Sequence, residues 1–208
     1  LTPEQNTRDV MLDSDQATNV LAHLEKYEYA TLGHVTIALL WHTMMRVGAA
    51  HALDLDDYHP DEQYLDVRHR PDQGTSIKNK EDGERLVALS DQLCELLNDW
   101  IADKRPDVTD DQGRKPLLAS RQGRAHRTTL RGYCYRATRP CEYGTECPHD
   151  RDPEDCEATD RDAAFSCPSS VSPHAIRRGS ITHSLNSEIP ENAVSDRANV
   201  SKVVLEQH

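Results

Sequence analysis

The most informative stretch of the chain runs from Pro173 to His183 and reads PHAIRRGSITH. A proline is common in the first turn of a helix, so the pattern predicts a helix that begins at Pro173. His174 and Arg177 are three residues apart and would share one face of that helix. A histidine that titrates near neutrality, beside a guanidinium that stays charged, suits acid–base chemistry on a phosphate. The plainer explanation of His174 is an exposed residue in a first helical turn.

A second arginine, Arg46, ends a strongly apolar run over 31–46, which predicts a helix with Arg46 at its C-terminal end. A cation there can simply interact with the helix dipole, and this is the alternative to a functional role. Further along, the polar segment 77–80 carries two lysines and precedes the apolar run 86–89. The turn residues 81–83 between them predict a hairpin.

Hydrophobic periodicity predicts a mainly α chain with one small sheet, an α+β fold. Helices are predicted from Ser14, over 31–46, from Ser90, over 128–139, from Pro173, over 190–196 and over 200–207. Strand-like runs at 64–68, 75–77 and 84–89 predict a three-stranded antiparallel sheet. With 208 residues the chain can bury one substantial core. It shows neither a signal-peptide pattern nor an apolar run near the ~20 residues of a membrane span, so no membrane partner is expected.

The charge balance bears on possible partners. The chain has 36 acidic and 24 basic residues and a net charge of −12, which disfavours DNA because phosphate contacts need Lys and Arg. Only six of the basic residues are Lys. An acidic, Lys-poor composition predicts a cytoplasm of very high salt, where repulsion is screened within ~3 Å at 1 M. An ordinary acidic protein is the alternative. In such a cytoplasm, DNA binding would depend on a local basic patch.

The order Arg46, a Lys-bearing hairpin, then His-x-x-Arg resembles the catalytic domain of tyrosine recombinases, the phage-integrase family. By that resemblance Arg46 and Arg177 bind the scissile phosphate and His174 assists as acid or base. Lys78 would protonate the leaving 5′ oxygen. Lys80 is the alternative, because it has the spacing of the family's shorter hairpins. A solvated lysine in a turn is the plainer explanation of either residue.

Two positions depart from the family pattern. Arg178 stands where relatives usually carry a second histidine. The last family position before the nucleophile is usually His or Trp and falls here at Asn199 or Val200. An amide can donate to a phosphate and a valine cannot, so Asn199 is the predicted residue. The nucleophilic tyrosine is expected directly after His208, outside the chain.

The resemblance implies a site-specific DNA recombinase or integrase that works through a 3′-phosphotyrosyl intermediate and needs no cofactor for the chemistry. Residues 1–208 would form the catalytic domain, with the N-terminal DNA-clamping domain and the tyrosine absent. The expected partners are double-stranded DNA and, for the full-length protein, a homotetramer on paired sites. This chain alone should bind DNA weakly and cleave none. The alternatives are a non-catalytic DNA-binding relative and a zinc-organised protein-interaction module.

Residues 140–172 form an insert rich in Cys, Pro and Asp, with almost no aliphatic side chains. The predicted metal ligands are Cys141, Cys147, Cys156 and Cys167. His149 is a possible alternative ligand. A structural zinc ion would explain how so polar a loop keeps a shape, although the tight Cys-x2-Cys spacing is missing. Disulfides and unligated thiols are the other possibilities. Cys94 and Cys134 fall on predicted helices and are expected to be buried in the core.

Overall fold

The structure is a computed structural model that describes residues 10–201 and Leu205. The described part is mainly helical with small antiparallel sheets, as predicted. Its α-helices are α1 (Ser14–Tyr27), α2 (Leu32–Thr43), α3 (Val47–Ala52), α4 (Asp91–Asp99), α5 (Arg127–Ala137), α6 (Pro173–Asn186) and α7 (Glu191–Ala198). Its strands are β1 (Tyr58–His59), β2 (Tyr64–Val67), β3 (Arg85–Ala88), β4 (Ala119–Ser120) and β5 (Gly123–Arg124). Most of the helix predicted over 200–207 lies outside the described residues.

The central element is α2, which packs against α1, α4, α5 and α6. All of its residues except His42 are buried, because its sequence is apolar on every side. Thr31 caps it, and the threonine side chain accepts a hydrogen bond from the His34 N–H at 3.2 Å. At the start of α1, Asp13 rather than the predicted Ser14 is the N-cap. The Asp13 carboxylate accepts from the Gln16 N–H at 2.8 Å.

The helix predicted over 31–46 is shorter than expected. Met44 has a left-handed backbone with φ 55°, which ends α2 at Thr43. The chain then extends through Arg46, whose φ of −71° and ψ of 147° place it at the N-cap of α3. The prediction of Arg46 at a helix C-terminus was therefore wrong. Interaction with the negative end of a helix dipole does not explain this residue.

The main sheet has three antiparallel strands in the order β1-β2-β3, with Leu65 opposite Val87. The number of strands was predicted, but one strand was misplaced. Residues 75–77 form no strand, and only Thr75 makes an isolated bridge, to Arg70. A loop closes between these two residues because Gly74 adopts φ 78°. The third strand is instead β1, whose two residues are too few for an alternating pattern to show.

Helix α6 begins at Pro173, as predicted. Ser172 caps it by accepting a hydrogen bond from the Ala175 N–H at 3.3 Å. The segment before α1 crosses α6 so closely that a Cβ on Gly179 would collide with the Leu12 carbonyl oxygen. The Leu12 N–H also donates to the Ala175 carbonyl at 3.2 Å. This contact fixes the helix that carries the His-x-x-Arg motif.

The insert of residues 140–172 joins α5 to α6 through turns and two short 3-10 helices, at Glu157–Thr159 and Ala164–Ser166. Cys94 and Cys134, on α4 and α5, are buried, as predicted. None of the described helices is long and apolar enough to cross a membrane.

Candidate functional site

A cleft of about 420 Å³ opens where α3, the loop before β3 and the first turns of α5 and α6 meet. Its polar lining is dominated by five cationic side chains, Arg46, Lys78, Arg85, Arg127 and Arg177, and it also includes the His174 imidazole. Among the described residues, no carboxylate lines this cleft. In a chain of net charge −12 this is a local concentration of positive charge, and it suits an anion.

Arg177 anchors the floor of the cleft. Its side chain is buried, with 3 % of the residue exposed. One guanidinium nitrogen donates to the Met44 carbonyl, and another donates to the Ala198 carbonyl at 2.6 Å. Burial, and after it the neighbouring charges of Arg46 and Arg85, together lower the pKa of Arg177 to about 9. Within the described part of the chain no carboxylate offsets this burial, so an anion in the cleft would be stabilised strongly.

Arg46 lies beside Arg177 at the entry to α3 and is half-buried. Its guanidinium donates to the Asn199 backbone carbonyl at 3.2 Å. Burial lowers the pKa of Arg46 as well. Because backbone carbonyls satisfy only part of each guanidinium, both arginines keep N–H groups for a phosphate.

Two further arginines in the cleft were missed from the sequence. Arg85 donates to the carbonyls of Arg197 at 3.0 Å and Gly83 at 2.9 Å. Burial, and after it the charges of Arg46 and Arg197, together lower the pKa of Arg85 to about 10. Its strand alternates, so the buried Val87 was a signal that Arg85 faces inward too.

The second of these is Arg127, at the start of α5, which donates to the Ser76 carbonyl at 3.2 Å. No pattern in the sequence separates it from the exposed arginines around it.

His174 is exposed in the first turn of α6. Partial burial lowers its pKa, with further lowering by Arg177, Arg178 and Arg46. The imidazole is therefore neutral at neutral pH and free to accept a proton. Lys78 lines the cleft from the loop before β3, whereas Lys80 does not.

Asn199 ends α7 with a left-handed backbone, φ 52°. Its side-chain amide donates to the Asp82 carbonyl at 3.2 Å, and its side-chain oxygen accepts from the Asn79 amide at 2.9 Å. It therefore ties the lysine loop to the end of α7, at the side of the cleft.

Of the five predicted catalytic residues, the structure gathers four in the cleft and places Asn199 beside it. A phosphate contact by Asn199 stays a prediction.

The lowered pKa of His174 can be tested directly. In a ¹H–¹⁵N titration we expect a pKa below the ordinary value of about 6.5. Saturating inorganic phosphate should raise it, because the anion offsets the neighbouring guanidinium charges. His174 would then lose its role as a base only as the pH falls through this pKa. The His174→Gln variant assigns the signal, and a pKa that phosphate leaves unchanged contradicts an anion site beside His174.

The four predicted cysteine ligands and His149 all line one small cavity of about 20 Å³ inside the insert. In the described residues, no three His, Cys, Asp or Glu side chains are arranged to hold a metal ion. The His149 Nε2 instead lies 2.8 Å from the Ser169 hydroxyl. The zinc ion therefore stays a prediction.

The model of the phage integrase family matches residues 11–203. The chain belongs to this family. The resemblance noted from Arg46, the lysine hairpin and the His-x-x-Arg motif is therefore confirmed at the level of the family. No sequence among the curated proteins matches the chain.

Solved structures show the same fold. XerA recombinase aligns with a TM-score of 0.68 and 17% identity, over 100% of this chain and 62% of that one. The Tn1549 transposon integrase in complex with transposon right end DNA aligns with a TM-score of 0.67 and 14% identity, over 99% of this chain and 62% of that one. A lambda integrase dimer bound to a COC′ core site aligns with a TM-score of 0.57 and 15% identity, over 95% of this chain and 47% of that one. The chain thus spans less than two thirds of these structures, and identities this low establish the fold alone.

Proposed function

We propose that this chain is the catalytic domain of a site-specific DNA recombinase that cuts and rejoins strands through a tyrosine. The observation that carries the proposal is a cleft lined by Arg46, Lys78, His174 and Arg177 and by no carboxylate of the described residues. A phosphodiester is the anion that uses all four groups at once. It needs cations on its non-bridging oxygens, a base for the nucleophile and an acid for the leaving oxygen.

In the proposed reaction a tyrosine, expected in the chain that follows His208, attacks the scissile phosphorus. Neutral His174 takes the tyrosine proton, and Arg46 and Arg177 stabilise the charge that grows on the non-bridging oxygens. The bond from phosphorus to the 5′ oxygen breaks as Lys78 gives that oxygen a proton. A 3′-phosphotyrosyl bond and a free 5′ hydroxyl result. Attack by the 5′ hydroxyl of a partner strand reverses the step, and no energy-supplying nucleotide is needed because the phosphodiester bond energy is retained.

Double-stranded DNA is the proposed partner, and a homotetramer on paired sites is the proposed assembly of the full-length protein. Two of the similar structures, the Tn1549 and lambda integrases, are complexes with DNA. The net charge of −12 opposes DNA over most of the surface, so binding must be concentrated at the cationic cleft. A high-salt cytoplasm, which would screen that opposition, is part of the same proposal.

The experiment that tests this proposal is DNA binding as a function of salt. We expect the chain to bind a duplex weakly and the Arg46→Gln variant to bind more weakly still. The slope of log K against log salt should fall by about 1, since one phosphate contact is lost. The matched control is Arg121→Gln, an exposed arginine in the β4–β5 turn that does not line the cleft. Equal affinity of wild type and Arg46→Gln at every salt concentration would overturn the proposed phosphate site.

A further inference from the structure

Five candidate metal ligands converge inside the insert although they are dispersed along it. Cys141, Cys147, His149, Cys156 and Cys167 line the same small cavity, together with Arg139. The cavity volume of about 20 Å³ is close to the roughly 10–15 Å³ of probe-occupied volume needed to hold one water molecule. It therefore has room for a single ion.

The insert lacks the apolar side chains that would otherwise stabilise it. Between residues 140 and 172 the buried aliphatic side chains are Ala158, Ala164 and Val171. Phe165, the one phenylalanine of the chain, is 65% exposed. Two alanines and a valine bury too little area to order a segment of this length. Segments with so small a core are usually held by disulfides or by a metal ion.

We propose that this cavity is a structural zinc site with four thiolate ligands, Cys141, Cys147, Cys156 and Cys167. As the side chains stand in the described structure, they do not form a metal-holding arrangement. Metal binding by this ligand set requires the four side chains, which line the same cavity, to turn toward its centre. Each thiol would release its proton on coordination, because zinc binds the thiolate.

The charges around the cavity favour this ligand set. Zinc with four thiolates carries a net charge of −2, so a buried site needs a cation close by. Arg139 is 5% exposed, and its guanidinium donates to the Ala158 carbonyl and bonds Glu142 at 2.5 Å. Arg151 also lines the cavity.

His149 has a different role from the four cysteines. Its Nε2 lies 2.8 Å from the Ser169 hydroxyl, on the segment that leads to α6. The same segment is tied to α5, since the Val171 N–H donates to the Thr138 hydroxyl at 2.9 Å. Ser172 then caps α6, whose first turn carries His174. Zinc in the insert would therefore fix the start of the helix that bears part of the cationic cleft.

Elemental analysis of the purified chain tests the site, and we expect about one zinc per chain. Replacement with Co²⁺ should give the intense thiolate charge-transfer bands and visible bands of a tetrahedral sulfur site. This measurement is made on the wild-type chain, so it does not depend on whether a variant folds. Cys156→Ser should lose the metal and melt at a lower temperature. His149→Gln and the matched control Cys94→Ala, a buried cysteine outside the insert, should both keep it.

Four results would overturn the inference. The first is wild-type protein without bound zinc that also takes up no cobalt. The second is a Cys156→Ser variant that retains metal at wild-type stoichiometry. The third is loss of the metal in His149→Gln, which would contradict the assignment of four thiolates. Cysteines found paired as disulfides by mass spectrometry would likewise exclude the metal. None of these readouts depends on DNA cleavage, so the zinc site and the proposed recombinase function can fail separately.

Discussion

Replacing Lys78 by alanine should slow DNA strand cleavage by about 10²–10⁴-fold, the usual contribution of a general acid. Replacing Lys80 by alanine should leave the rate nearly unchanged. Both lysines are exposed and two residues apart, so the pair is a matched comparison. Lys78 lines the cationic cleft, while Lys80 begins the 3-10 turn Lys80–Gly83 with a left-handed backbone, φ 52°. The expected difference between the two variants rests on this placement of Lys78 alone in the lining of the cleft.

The measurement is single-turnover formation of the covalent DNA complex by a chain extended through the expected tyrosine. The substrate is a duplex nicked close to the scissile phosphate, so the short strand with the free 5′ hydroxyl dissociates after cleavage. Without that strand the reverse step cannot occur, and the covalent complex accumulates. A second substrate carries sulfur in place of the leaving 5′ oxygen, and this thiolate leaves without needing a proton. The Lys78→Ala defect should largely disappear with the sulfur substrate. Equal defects in both variants, or no rescue by sulfur, would contradict the role of Lys78. An extended chain that forms no covalent complex at all would favour the non-cleaving DNA-binding relative.

The sequence predicted the composition of the cleft better than its geometry. His174 and Arg177 could be placed together because a helix fixes the positions of residues three apart. Arg46 and Lys78 could be added only through the order of family motifs, since nothing local shows that residues so distant meet. The alternation of β3 places Arg85 on the same side as Val87, but it does not show that this side of the strand end meets Arg46 and Arg177.

The sheet illustrates the same limit. The β2–β3 pairing was predictable because Leu65 and Val87 belong to alternating strands whose inward residues form the core. The misplaced strand at 75–77 has β-forming residues, but its neighbours Gly74 and Asn79 have φ values of 78° and 70°. Those turns depend on contacts with the rest of the molecule, which local propensity does not contain.

Charge was the property that the sequence described least well. The acidic residues were interpreted only through the net charge, yet Asp54 and Asp57 are 6% and 3% exposed. Asp54 receives hydrogen bonds from Arg124 and, at 3.0 Å, from Arg114. Arg114 also donates to the Thr75 hydroxyl at 3.0 Å. This buried network joins the segment after α3 to the loop that leads to Lys78, so it positions two walls of the cleft.

Arg124 is the centre of that network, and its replacement by methionine should lower the free energy of unfolding by about 3–5 kcal/mol. Its side chain is 9% exposed, and it bonds both Asp54 and Asp110, the latter at 2.7 Å. Methionine fills much of the space but removes a guanidinium partner from the buried Asp54 and from Asp110, whose side chain is 9% exposed. The matched control is Arg68→Met, whose side chain is 48% exposed and pairs with Asp66 and Glu84. Exposed pairs of that kind contribute about 0–1 kcal/mol.

Urea unfolding at several pH values separates this electrostatic effect from a loss of packing. Burial raises the pKa of Asp110, but hydrogen bonds from Arg124 and from the N–H groups of Arg114 and Gln112 outweigh it and lower the pKa. A carboxylate with a lowered folded pKa stabilises the protein above its unfolded pKa of about 3.9, and this contribution is lost as the pH falls through the folded value. The deficit of Arg124→Met should therefore be full at neutral pH and shrink below about pH 4. A loss in free energy of unfolding that is the same at every pH, or no larger than that of Arg68→Met, would contradict an electrostatic contribution of the network.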